Sequence, residues 1–66
     1  MDIEKWKQKL EGVERDGWCD AGVSCEICQR AFQIKLVEIL KVRRPSMTYF
    51  YYVCIECQMR KLGLRW

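Results

Sequence analysis

Apolar residues in the N-terminal segment recur at helical spacing. Ile3, Trp6, Leu10 and Val13 fall on one side of a helical wheel, and Lys5, Lys7, Lys9, Glu11 and Glu14 fall mostly elsewhere. This pattern predicts an amphipathic helix over residues 2–15, with Asp2 as its cap. The stretch "RDGW" supplies a stop, with Gly17 suited to a left-handed position. So short a helix is marginal alone. Its apolar stripe is therefore expected to dock on the rest of the chain or, alternatively, on a second chain.

The period changes further along. Phe32, Ile34 and Leu36 alternate with polar residues, as do Leu40 and Val42, while Val37 and Ile39 break the rhythm. That stumble implies a bulge or a change of buried face. A helix through Phe32, Leu36 and Ile39 fits the same letters, but the β-branched content and the strand that follows favour a sheet. "RRPSM" contains the only proline and reads as a turn, and "TYFYYV" reads as a strand. Together they predict a β-hairpin of residues 31–42 and 47–53. The tail predicts a short helix from Ile55 to Leu62, closed by Gly63, with Leu64 folding back. Arg60 and Lys61 then sit where the helix dipole favours positive charge.

Chemistry enters with the cysteines. Cys25, Cys28, Cys54 and Cys57 form two Cys-x-x-Cys pairs that bracket the hairpin. Two intervening residues let a tight turn aim both sulfurs at one point, about 2.3 Å from a zinc ion, and two such turns complete a tetrahedron. Four thiolates suit zinc first and iron second. A closed four-thiolate shell leaves no position for water, so the ion is expected to be structural rather than catalytic. The chain has no histidine to serve as a base, no paired carboxylates at a recognisable spacing, no nucleophile motif and no phosphate-binding glycine loop, so it is not expected to be an enzyme. A thioredoxin-like redox role needs a βαβ setting that a 66-residue chain of this pattern does not offer. Cys19 is left over. It is expected to be a small buried hydrophobe near the site, with ligand exchange or an intermolecular disulfide as the alternatives.

Composition sharpens this picture. Half of the 66 residues are hydrophobic and 32% are charged, which is the composition of a folded chain. A domain of this size usually needs a disulfide, a metal or a partner to supplement its core. An odd number of cysteines, five, argues against a closed disulfide framework. No signal-like or membrane-spanning run is visible. A reducing, cytoplasmic setting is thus expected, with neither a membrane nor a small-molecule substrate as partner. The formal charge of +3 falls to near +1 once four thiolates and one zinc ion are counted. That correction removes most of the global argument for a polyanionic partner.

Knuckle, hairpin, then a helix carrying the last two ligands is the treble-clef order. From Ser24 to Gly63 the chain resembles the treble-clef and zinc-ribbon group of zinc fingers. "CEIC…YYVCIEC" is similar to the small four-cysteine zinc domains of ClpX-type unfoldases and archaeal bridging factors. "CEIC…F…LVEI" also resembles HNH nucleases, but the histidines those enzymes use are missing, so nuclease activity is not implied. Gln29 departs from many such knuckles, which place glycine there; it must tolerate a left-handed backbone or a different turn.

The expected fold is a small α+β zinc-stabilised domain: an N-terminal amphipathic helix in residues 1–18, and a four-cysteine module in residues 19–66 made of knuckle, hairpin and short C-terminal helix. Related modules contact nucleic acid through hairpin tips or basic helices. Lys41, Arg43 and Arg44 at the tip and Arg60, Lys61 and Arg65 in the tail are the candidate phosphate contacts, and Tyr49, Tyr51 and Tyr52 are candidate stacking surface. The first functional expectation is a nucleic-acid-associated or transcription-regulatory zinc finger. The alternative is a protein-interaction adaptor or homodimerisation module, with Trp6, Tyr49, Tyr51 and Trp66 as interface anchors and Trp18, Phe50 and Tyr52 as further aromatic candidates, unless Trp6 and Trp18 simply close the small core.

Overall fold

The computed structural model describes residues 3–20, 22–32 and 36–64. Helix α1 spans Ile3–Lys9, strand β1 Glu14–Trp18, β2 Val37–Arg43, β3 Thr48–Cys54 and helix α2 Ile55–Arg60. The strands form an antiparallel sheet in the order β1-β2-β3.

The helix expected over residues 2–15 is thus divided. It ends at Lys9 because Gly12 takes φ +74, the left-handed conformation that closes helices and that glycine adopts at least cost. The N–H of Val13 donates to the carbonyl of Leu10 across this turn. Leu10 is buried, and Ile3, Trp6 and Val13 pack against the core, so the apolar stripe docks on its own chain. Residues beyond the turn run as strand. A boundary after residue 18 would therefore cut β1 away from the sheet it belongs to. Gly17 is not the helix stop. It lies beside a bulge in β1, where the register slips between Arg15 and Gly17, and bulges favour such backbone freedom.

The hairpin is present in a shorter form. Val37 pairs with Cys54 and Arg43 with Thr48 without a slip, so the broken alternation at Val37 and Ile39 does not mark a bulge. It marks a central strand covered on both faces at one end: Val37 and the neighbouring Glu38 are both buried. Phe32 lies outside the strand, and Ile34 lies outside the described residues.

Directly opposed residues share a face of the sheet. One face carries Glu38, Leu40, Val42, Tyr49, Tyr51 and Val53. The two helices meet this face. Trp6 of α1 sets its ring edge-on to Tyr51, with centroids 5.5 Å apart, and Gln58 of α2 reaches Glu38. Leu10 and Leu62 join Leu40, Val42 and Val53 in the core. The other face carries Ile39, Lys41, Phe50 and Tyr52; there Phe50 remains 50% exposed and Tyr52 41%.

A buried polar chain crosses the helical face. The Arg15 Nε donates to Glu38 Oε2 at 2.6 Å. Gln58 Nε2 donates to Glu38 Oε1 at 3.0 Å and to the Val53 carbonyl at 3.1 Å. Glu38 and Gln58 are fully buried, and each has its polar atoms satisfied, as burial of such groups requires.

Candidate metal centre

Two short segments build the cysteine site. The first is a knuckle folded as a small hairpin. Ser24 bridges Ala31, and the Cys25 N–H donates to the Arg30 carbonyl at 3.1 Å. Gln29 donates to the Cys25 carbonyl at 2.9 Å and carries φ +61. It therefore adopts the left-handed conformation expected of that position without being glycine. The Ile27 N–H points at the Cys25 Sγ, 3.3 Å away. The knuckle is clasped to the edge of β3: Glu26 N–H donates to the Tyr52 carbonyl, and the Tyr52 N–H donates to Glu26 Oε2 at 2.6 Å.

The second segment is the junction of β3 and α2. Cys54 ends the strand and caps the helix, and its Sγ accepts the Cys57 N–H at 3.4 Å. A sulfur at this cap gains from the free N–H groups and the positive end of the helix dipole. The Ile55 N–H donates to the Leu36 carbonyl, which ties the start of α2 to the approach to β2. At the far end Gly63, at φ +66, lets the Leu64 N–H return to the Gln58 carbonyl at 2.8 Å.

The four sulfurs converge. Cys25, Cys28, Cys54 and Cys57 place their Sγ atoms within 4.8 Å of one another, and Cys28 Sγ lies 3.8 Å from Cys54 Sγ. A tetrahedron with metal–sulfur bonds of about 2.3 Å has sulfur–sulfur edges of about 3.8 Å, so the cluster has the dimensions to hold one metal ion. Three of the cysteines are buried and Cys28 is half-buried. Cys19 is buried in the core and is not part of the cluster. Burial, with the charge of Asp20, raises its thiol above the usual range.

Electrostatics within the cluster are frustrated without a cation. Burial opposes charge on Cys25, but hydrogen bonds from the backbone at Cys54, Cys28 and Ile27 outweigh it and bring that thiol down to about 7. Burial pushes the Cys54 and Cys57 thiols up, and negative charge on Cys25 pushes them further. Negative charge on one thiol of the cluster thus disfavours charge on its neighbours. A divalent cation at the centre removes that conflict.

The candidate nucleic-acid contacts are mostly engaged. Lys41 lies 3.8 Å from Asp16, and Arg43 lies 3.7 Å from Glu14. Arg44 donates to the carbonyls of Gln8 and Lys9, closing the end of α1. Arg60 and Arg30 both pair with Glu56. Arg30, Arg60 and Lys61 also ring a cavity of about 210 Å³ that opens on Cys28, Cys54 and Cys57. Glu56, with which Arg30 and Arg60 pair, lines the same cavity. Among the candidate interface residues, Trp6 and Tyr51 are half-buried against each other, whereas Tyr49 is exposed. Arg65 and Trp66 lie outside the described residues.

Sequence reasoning missed the Glu38–Gln58 pair. Its one signal is a carboxylate in the middle of the apolar run "LVEIL". No protein-family model, curated protein or solved structure matches this chain. No helix among the described residues is long and apolar enough to cross a membrane.

Proposed function

We propose that this chain is a zinc-stabilised, non-enzymatic binding module of the treble-clef kind, with nucleic acid as its partner. The observation that carries the zinc assignment is the convergence of four sulfurs within 4.8 Å, with backbone N–H groups aimed at two of them. Four soft donors in a tetrahedral arrangement favour zinc over harder cations. They also close the coordination shell, so the ion cross-links the chain and activates no water. The order of knuckle, hairpin and ligand-bearing helix supports the treble-clef reading. Persistent thiolates fit a reducing compartment such as the cytoplasm.

Native mass spectrometry of the reduced protein tests this reading. One zinc ion per chain is expected, and chelator should remove it together with the far-ultraviolet circular dichroism of the fold. A chain that stays folded after complete metal loss overturns the proposal.

The sheet face of Ile39, Phe50 and Tyr52, where both aromatic rings remain exposed, favours a second reading as a protein-binding or homodimeric module. The same spectra decide between one chain and two.

A further inference from the structure

Along the inner edge of α1 runs an open groove of about 710 Å³, walled by Lys5, Lys9, Arg44, Ser46, Tyr49 and Tyr51. The volume falls within the roughly 300–1,000 Å³ of ligand clefts. Among the described residues three cations and Gln8 line the groove, and no carboxylate does. Lys9 and Arg44 differ here from the other basic residues. Lys41, Arg43 and Arg60 each face an acidic partner, but Arg44 is held by two backbone carbonyls and Lys9 lies over the Trp6 ring, 4.9 Å from its centroid. Neither arrangement neutralises the charge with a counter-ion. Arg44 is also pre-positioned, since its two bonds to the end of α1 fix the guanidinium at the groove wall.

The opposite wall is flat and aromatic. Tyr49 and Tyr51 lie nearly parallel, with an angle of 16° and centroids 6.3 Å apart. Tyr51 also meets the Trp6 ring edge-on, and Tyr49 is 40% exposed. Fixed cations beside an exposed ring match the backbone and base of an unpaired nucleotide. An acidic peptide would satisfy the cations but leave the ring without a partner, and a duplex hides its base faces.

We infer that this groove binds single-stranded nucleic acid, with phosphates on Lys5, Lys9 and Arg44 and a base stacked on Tyr49. The inference rests on the nucleic-acid reading above and narrows it to one site and one strand form.

Fluorescence anisotropy of the zinc-loaded full chain with a short fluorescein-labelled oligothymidylate tests it, at ~50 mM and ~200 mM salt. Charge reversal at Lys5→Glu with Lys9→Glu should weaken binding at least tenfold and flatten the salt dependence by about two phosphate contacts. Tyr49→Ala should cost roughly tenfold, and Tyr49→Phe should retain affinity. Arg60→Ala with Lys61→Ala should change little. Zinc content measured on every variant guards the cysteine end of the fold, and the melting temperature guards the α1 end.

A Tyr49→Ala protein that binds as well as the parent overturns the groove, as does equal affinity for a duplex or equally effective displacement by polyglutamate. Binding that depends on Arg60 and Lys61 instead overturns the groove but leaves the wider nucleic-acid reading standing. No binding of any strand at ~50 mM salt overturns both.

Discussion

At one end of the sheet Cys25 and Cys28 of the knuckle meet Cys54 and Cys57 of the β3–α2 junction at a single point. At the other, beside the hairpin tip, α1 is held by the ring contact of Trp6 with Tyr51, by buried Leu10 and by the two carbonyls that Arg44 closes. On the zinc reading the first end depends on one centre, and each cysteine contributes only while the other three are in place. The second end spreads its attachment over many small contacts, each worth about a kilocalorie or a few. A centred link fails as a whole; a distributed one fails in parts.

The largest test of that contrast is Cys54→Ala. Cys54 is one of the four clustered thiols, the last residue of β3 and the cap of α2. Structural zinc contributes roughly 10–16 kcal/mol, as much as the entire stability of a typical domain, about 5–15 kcal/mol. Removing this thiol should abolish the folded far-ultraviolet spectrum even in excess zinc. Cys19→Ala, which deletes a thiol outside the cluster, should leave the spectrum and the zinc content intact. Loss of fold in Cys19→Ala, or its survival in Cys54→Ala, would break the distinction between the ends.

Glu38 joins the two regions and sharpens the comparison. It links Arg15 of β1 to Gln58 of α2 from a position only 3% exposed. Breaking a buried pair costs about 3–5 kcal/mol, but Arg15 is 37% exposed and regains water, so about 2–3 kcal/mol is the expected loss for Glu38→Ala. Hydrogen exchange should show β1 loosening first while zinc remains bound. Simultaneous release of zinc would mean that the centre depends on the sheet as much as the sheet depends on the centre.

These two regions were also unequally legible in the sequence. The cysteine site could be read from spacing alone, because tetrahedral geometry restricts which spacings work. Gln29 stood out only by comparison with zinc knuckles that place glycine there; of the two alternatives, a left-handed backbone or a different turn, the first is found. The β2–β3 hairpin and α2 were legible because β-branched and aromatic residues cluster in one and a glycine closes the other. Strand β1 was not. "ERDGW" has no apolar alternation, and it is strand because Arg15 finds Glu38 across 23 residues while β2 offers an open edge. Tertiary pairing overrides local pattern here. The same limit hid the pairing of Lys41 and Arg43 with Asp16 and Glu14. A run of basic letters shows charge but not the carboxylates that the fold brings beside it.

The smallest effect tests the distributed end by itself. Gly12 ends α1 at φ +74, and a Cβ built there meets nothing within 4 Å. The cost of Gly12→Ala is therefore that of the backbone alone. Left-handed alanine costs about 1–2 kcal/mol, and the stiffer unfolded chain returns about 0.4–1 kcal/mol of it. A net loss of about 1 kcal/mol should lower the melting temperature by roughly 4–8 °C. Zinc content should not change, since the turn contains none of the four clustered cysteines. Gly12→Asn should recover part of the loss, because asparagine enters the left-handed region more readily than alanine. If Asn and Ala are equally harmful, the turn is not what ends α1, and the division between helix and β1 at this point needs another cause.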